Sequence, residues 1–329
     1  MNGILKRFFC FSTLLAIASV VSGCMVFTLP GVEPLEEKVI GGSGPARVLL
    51  IDVSGVIRDE DGTGLLGVET RMNTLARIKE ELTRAEKDDS VKAVVLRINS
   101  PGGAVTTCDI INHEISVFKA KRKIPVVAEL MDVAASGGYY VAVAADSIVA
   151  HPTTVTGSIG VVAYSVNAGG LMEKLGISNQ TIKSGDKKDI GSPLRKMTDE
   201  ERAILSSIID DMHQRFLNAV MRGRKNAHAF ELNELKGIAD GRVYTANQAL
   251  GLKLIDSIGY LEDAVGLAKK LAGVKDATLI TYAPRSSYRA NMYSGIGGAT
   301  PPQVNLINMD IGGGLSKKFG LNFLYLWMP

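Results

Sequence analysis

Cysteine is scarce in this chain, with three among 329 residues. Cys10 and Cys24 fall in or at the end of an apolar leader, so a mature domain keeps only Cys108 and has no internal disulfide. Cys108 itself reads as a small buried apolar residue. Histidine is sparse too. His113, His151, His213 and His228 are scattered, and no Cys/His pair has the spacing of a zinc site, so neither a metal nor another cofactor is expected. A marked excess of one charge is also lacking: the formal net charge of +3 becomes +1 once Lys6 and Arg7 leave with the leader. That balance gives no reason to expect nucleic acid or a strongly acidic partner.

What is present starts at the N-terminus. Lys6 and Arg7 form a basic flank, and Phe8 to Val21 an apolar run shorter than an ordinary spanning helix, the pattern of a secretory signal over residues 1–23. Its end, Val21-Ser22-Gly23-Cys24, resembles the bacterial lipobox, which implies a lipidated Cys24 at the mature N-terminus. The alternative is a retained anchor continuing through Met25, Val26 and Phe27. Either way the chain is expected to be tethered to a membrane of the bacterial cell envelope, with its folded domain outside the cytoplasm. Residues 24–46 are rich in Gly and Pro without periodicity and read as a tether. The folded domain is expected over 47–285, and a weakly patterned tail, 286–329, turns apolar again from Leu321 to Pro329; that end is expected to lie as an extended peptide in a substrate groove, its own or a neighbour's, the alternatives being its own core or the membrane.

Within the domain, strand-like and helix-like stretches alternate. Val48 to Val53, Ala93 to Asn99, Val126 to Leu130 and Ser147 to Ala150 read as strands. Helices are predicted near Met72 to Ala85, Val105 to Phe118 and Tyr139 to Ala145. This is α/β order with a parallel sheet and crossover connections. Further on, Thr198-Asp199-Glu200-Glu201 is a capping box. It opens a long helix whose apolar face, including Leu205, Met212, Phe216 and Val220, expects a core or a partner subunit.

Ser136 stands between an apolar strand and a helix in Ala134-Ala135-Ser136-Gly137-Gly138. Small neighbours let a substrate carbonyl reach Oγ, and the amides that open the helix point at a developing oxyanion. A tight turn that needs small residues has the same look. A second glycine turn, Ser100-Pro101-Gly102-Gly103, ends the preceding strand, so two parallel strands finish in turns able to face each other. Isolated patterns elsewhere carry less. Ser116-Val117-Phe118-Lys119 and Ser184-Gly185-Asp186-Lys187 match S-x-x-K without its companion K-T-G. Gly62 to Gly67 matches a dinucleotide fingerprint, but Asp59, Glu60 and Asp61 before it would repel a pyrophosphate.

A serine nucleophile needs a base. His151, at the end of the strand after the Ser136 helix, is one candidate; Lys187 and Lys188, in Ser184 to Pro193, are the others. Ser136 with its Gly-Gly, Thr156-Gly157-Ser158-Ile159-Gly160, Lys188-Asp189 before Ser192-Pro193, and Gly241-Arg242-Val243-Tyr244-Thr245 before Gly251-Leu252 and Asp256 together resemble the signal peptide peptidase A family in its short, single-repeat form. The resemblance runs in order from about Val48 to Ala272. It implies a Clp/crotonase-like fold of repeated ββα units, an oligomeric ring, and a Ser-Lys serine endopeptidase. It further implies Ser136 as nucleophile, Lys188 as base, Ser158 as the group that orients the lysine, and the backbone N–H groups of Gly103 and Gly137 as the oxyanion hole. Clp-type proteases instead place a histidine after the same strand, which keeps His151 as the rival base. The substrates implied are apolar, membrane-derived peptides such as remnant signal peptides. A crotonase-type acyl-CoA enzyme shares the paired turns, but the secretion signal speaks against a cytoplasmic substrate.

Overall fold

The computed structural model describes residues 33–59, 62–63, 69–295 and 322–327. In chain order the elements are β1 (Leu35–Gly42), β2 (Ala46–Ser54), β3 (Gly62–Thr63), β4 (Glu69–Arg71), α1 (Thr74–Lys87), β5 (Val91–Ser100), β6 (Gly102–Ala104), α2 (Val105–Arg122), β7 (Val126–Ala135), α3 (Gly137–Ala142) and β8 (Ser147–Ala150). They continue with β9 (Val155–Gly157), β10 (Val162–Tyr164), α4 (Gly169–Lys174), α5 (Asp199–Arg224), α6 (Leu232–Ile238), β11 (Val243–Thr245), α7 (Ala246–Gly251), β12 (Ser257–Ile258), α8 (Leu261–Leu271), β13 (Ala277–Pro284) and β14 (Asn322–Leu326).

Period-two alternation turns β2, β5 and β7 into a sheet buried on both faces. Leu49, Ile51, Val94, Leu96 and Ile98 point to one side, where they meet Ile78, Leu82, Ile111, Ile115 and Tyr139 from α1, α2 and α3. Val48, Leu50, Val95 and Val127 point to the other, under Leu261, Ala264 and Ala268 of α8. Among the described residues the main sheet runs β1-β13-β2-β5-β7-β8-β12, with β9 joined to β7 and β11 to β9. Every pair from β13 to β12 is parallel, as crossover helices require; β1 on β13 and β11 on β9 are antiparallel. A second, small sheet has the order β10-β14-β6.

This is the expected α/β architecture, with two local differences. Leu35–Gly42, inside the expected tether, is an edge strand, because β13 offers it a partner and Leu35 and Ile40 find cover. The strand read as Val126 to Leu130 continues to Ala135, delivering the chain to Ser136. The capping box at Thr198 is present, its Oγ1 accepting from Glu201 N–H at 3.2 Å. Of the helix's apolar face, Phe216, Leu217 and Val220 are buried, whereas Ile204 remains exposed. No helix among the described residues is long and apolar enough to cross a membrane. The leader and Cys24 lie outside the described residues, as do Gly64 to Gly67 of the fingerprint-like run; Gly62 and Thr63 pair with β4 in a two-stranded ribbon.

Candidate active site

Parallel β5 and β7 end side by side, and their terminal turns meet. Ser100 closes the first turn: its Oγ donates to Gly55 O at 2.6 Å and accepts from Gly102 N–H at 3.1 Å. Gly102 then takes φ +103°, a conformation that glycine adopts freely. Ile57 N–H donates to Gly102 O and Ala104 N–H to Ile57 O, both at 2.9 Å, which fixes one edge of β6.

The second turn carries Ser136 at φ 52°, ψ −116°, strained for a residue with a Cβ. The neighbours hold it there. Ser136 N–H donates to Gly157 O and Tyr140 N–H to Ser136 O, each at 2.8 Å. Gly137 opens α3, so its N–H is one of the amides with no partner inside the helix. A Cβ on Gly137 would lie 3.0 Å from Gly103 N, 3.0 Å from Gly102 Cα and 2.5 Å from Cys108 Sγ. The two glycine turns are therefore in contact, and Cys108 forms the floor beneath them. Burial pushes the Cys108 thiol far up, leaving an inert apolar group.

Ser158 follows the residue whose carbonyl accepts from Ser136. It also has positive φ, 50°, and its N–H donates to Arg242 O at 2.7 Å. Gly157 lies against the Tyr244 ring, and β11 pairs Tyr244 with Thr156. The Gly241-to-Thr245 run is thus the clamp that shapes the Ser158 turn. Asp256 does related work one strand away: Arg224 donates to both its oxygens, at 2.7 and 2.8 Å, while Ile148 N–H donates to Oδ2 at 2.7 Å.

Ser136, Ser158, Gly103 and Gly137 are brought together; Lys188 is not joined to them within one chain. It sits exposed in a turn, its N–H donating to Gly185 O at 3.0 Å, and no side-chain hydrogen bond or ion pair links it to Ser136. The turn itself is well braced. Asp189 accepts from Arg195 at 2.6 and 2.8 Å and from Lys183 at 2.7 Å, and Arg195 reaches on to Glu201 of the capping box. Hydrogen bonds from Arg195 and Lys183 hold the Asp189 carboxyl well below the usual range, so the bracing charge persists into acid. Lys187 pairs instead with Glu200 at 2.5 Å. The His151 ring bonds Thr153 Oγ1 at 2.8 Å and lies edge-on to Tyr260, a structural setting. Among the described residues no group of three or more His, Cys, Asp or Glu side chains could hold a metal ion.

Sequence reasoning missed the place of one residue and left open that of another. Cys108 was legible only as a core residue, and nothing in the pattern shows that it lies under Gly137. Tyr325, in the tail, is fully buried beside the same turns, with its backbone paired to Gly103.

Residues 119–275 match the model of peptidase family S49, and residues 58–156 match that of Clp protease; Ser136 lies where the two overlap. An Enterococcus faecium protein named as a signal peptide peptidase SppA is 38% identical over 252 residues, 76% of this chain and 71% of that protein. A Synechocystis sp. protease is 40% identical over 212 residues, 64% of this chain and 73% of its own length. Protease 4 of Salmonella typhi is 33% identical over 236 residues, which are 71% of this chain but 36% of that longer protein. Among solved structures, the 1510-N membrane-bound stomatin-specific protease superposes with a TM-score of 0.46 at 15% identity over 74% of this chain. Identity at this level over most of two chains of similar length, on a sheet whose paired glycine turns flank a strained serine, places the relationship beyond fold alone: the chain belongs to peptidase family S49 and is a serine peptidase on a Clp-type α/β fold.

Proposed function

We propose that this chain is a lipid-anchored endopeptidase of the bacterial cell envelope that degrades apolar peptides, remnant signal peptides among them, with Ser136 as nucleophile and Lys188 as general base. The observation that carries the reading is the meeting of Ser136 with two glycine turns. A carbonyl attacked by Ser136 Oγ would place its developing charge between the N–H groups of Gly103 and Gly137, where preformed donors lower the barrier. Lys188 takes the hydroxyl proton as the bond forms and passes it to the departing amine, which leaves the acyl-enzyme; the lysine then takes a proton from water, whose attack releases the acid while that proton returns to the serine. Ser158 orients the lysine amine.

A lysine base must be desolvated, because its ordinary pKa near 10.4 keeps it charged at neutral pH. One copy of the chain does not supply that cover, since Lys188 is exposed. The segment carrying it displays Leu171, Leu175, Ile177 and a 99% exposed Ile182, an apolar display that suits contact with a second copy. We therefore read the site as shared: Ser136 of one subunit with Lys188 of its neighbour, in a homo-oligomeric ring. Cys24 supplies the lipid tether that holds the ring at the membrane surface.

Mixing inactive copies tests this. Ser136→Ala and Lys188→Ala should each abolish hydrolysis of an apolar peptide, and co-refolding the two should restore part of the activity, because mixed rings contain sites with both residues intact. Activity in Lys188→Ala alone, or no recovery in mixtures shown to be assembled, would defeat the shared dyad. Labelling by a fluorophosphonate, mapped to Ser136, tests the nucleophile independently.

A further inference from the structure

β5 and β7 do not keep one register to their ends. Ile98 pairs with Leu130, but the next pair is Ser100 with Ala134, so between these pairs β7 carries two residues more than β5. The surplus is a bulge over Met131-Asp132-Val133: Asp132 is exposed and its two neighbours are half-buried, in a strand otherwise buried throughout. The other edge of β7 divides at the same place, with β8 paired up to Leu130 and β9 paired from Val133 onward.

The bulge decides which residues face each other beyond it. Three residues after Ser100 stands Gly103, three after Ala134 stands Gly137, and their turns touch. Under the register of Ile98 and Leu130, Gly103 would be matched by Ala135 instead. Gly137 would then lie two residues too far along, roughly 6.6 Å of strand. The two amides read as the oxyanion hole are opposed only because β7 is longer by those two residues.

A bulge leaves backbone groups without ladder partners, and they must find others. Buried Asn99 supplies one: its Oδ1 accepts from Val133 N–H at 3.1 Å. The Asn99 backbone is pinned from the opposite side, where Ser54 of β2 pairs with it and Gly55 N–H donates to its carbonyl at 2.9 Å. Its side chain thus ties the last turn of β7 to a fixed point on β5. Buried Thr154 braces the bulge from the other edge, its hydroxyl 2.7 Å from Leu130 O and 2.5 Å from Met131 O. Past the bulge Thr156 Oγ1 donates to Ala134 O at 2.7 Å, and the ladder resumes with β9.

We propose that Asn99 and Thr154 are positioning residues of the peptidase reaction, which together hold the two-residue bulge in β7 that brings the Gly137 amide opposite that of Gly103. The proposal rests on the reading of Ser136 as nucleophile with those amides as its oxyanion hole. A loosened bulge displaces one donor against the other. Misplacement of that kind costs most where charge on the carbonyl oxygen is greatest, in the transition state, and little in the binding of substrate. The signature belongs in kcat and not in KM.

The test uses the full-length chain and compares Asn99→Ala, which removes the acceptor, with Asn99→Asp, which keeps one on a side chain of the same shape. On an apolar peptide Asn99→Ala should lower kcat about 10²-fold at an unchanged KM, and Asn99→Asp should recover most of the loss. A peptide aldehyde reports on the amides directly: Ser136 Oγ adds to its carbonyl, and the hemiacetal oxygen takes the oxyanion's place. Its Ki should rise by the factor by which kcat/KM falls. Thr154→Val, alike in shape without the hydroxyl, should lower kcat about tenfold, and Thr154→Ser should recover it. The pair Asn99→Ala with Thr154→Val should cost little more than Asn99→Ala alone, because both loosen one bulge.

A lower Tm with wild-type kcat and Ki in Asn99→Ala would overturn the proposal and leave the bulge as packing. Equal losses of kcat in Asn99→Ala and Asn99→Asp would overturn the part given to the acceptor. Should Asn99→Ala fail to fold, Thr154→Val decides: a higher Ki supports the proposal and wild-type kcat overturns it. Fluorophosphonate that leaves Ser136 of the wild type unlabelled would instead remove the nucleophile reading, and the proposal with it.

Discussion

The amide nitrogen of Gly103 lies 3.0 Å from where a Cβ on Gly137 would stand. Two turns from different strands thus leave no room for even one methyl between them. Gly137→Ala should therefore part the two proposed oxyanion donors and lower kcat about 10²- to 10³-fold, while circular dichroism shows the sheet intact. Adding Cys108→Ala removes the 2.5 Å clash with Sγ but not those with Gly102 and Gly103. The double variant should recover thermal stability without recovering kcat. Normal turnover in Gly137→Ala would show that these amides do not bind the oxyanion.

Ser136 holds φ 52° and ψ −116°, a conformation that glycine adopts freely and serine only under strain. Ser136→Gly should abolish fluorophosphonate labelling and, at the same time, stabilise the fold by about 1 kcal/mol after glycine's own entropic cost. Ser136→Ala keeps the Cβ and should abolish labelling without that gain. Thermal unfolding of the pair separates strain from side-chain loss. Equal Tm values for the two variants would mean that the turn is not strained.

The sheet and the strand-to-helix turn that carries Ser136 were legible because both follow from local pattern. Alternating apolar residues in Val48 to Val53 and Ala93 to Asn99 dictate buried parallel strands, and Ser136-Gly137-Gly138 after a strand dictates a tight strand-to-helix turn. What sequence could not supply was whatever depends on a distant partner. Leu35–Gly42 carries two glutamates and a glycine pair, and becomes a strand only because β13 accepts it. Tyr325 lies 189 positions after Ser136, and its apolar neighbours announce that the tail is covered without choosing between groove, core and membrane. The Arg242-to-Tyr244 run was recognisable as a family signature, whereas its task of shaping the Ser158 turn appears only from the pairing with β9.

Arg224 is almost fully buried and donates to both oxygens of Asp256, which in turn anchors Ile148 N–H in β8. Asp256→Asn keeps an acceptor for the Ile148 amide but strands the guanidinium charge. The expected cost is about 2–3 kcal/mol, below that of a wholly buried pair because Asp256 is partly exposed. Urea unfolding measures it. Arg224→Met in the Asp256→Asn background should restore part of the loss, since no buried charge then remains unpaired. A single variant with wild-type stability would mean that water solvates Arg224 adequately.

Glu129 sits in β7 on the α8 face, fully buried, and neither carboxyl oxygen has a hydrogen-bond partner. Burial, reinforced by the charges of Asp263 and Glu262, pushes its carboxyl from an ordinary value of 4.5 up to about 9. The folded chain then keeps a proton that the unfolded chain gives up near pH 4.5. Between these two values the unfolded state binds fewer protons, so stability falls as pH rises, and the contribution present in acid is gone above the folded value. Glu129→Gln mimics the protonated group and cannot titrate. Its advantage over the wild type should be nil near pH 4 and grow to about 1–3 kcal/mol by pH 8 to 9, read as a widening gap in Tm. Parallel Tm profiles across that range would show that water or a rearranged neighbour already satisfies the charged carboxylate.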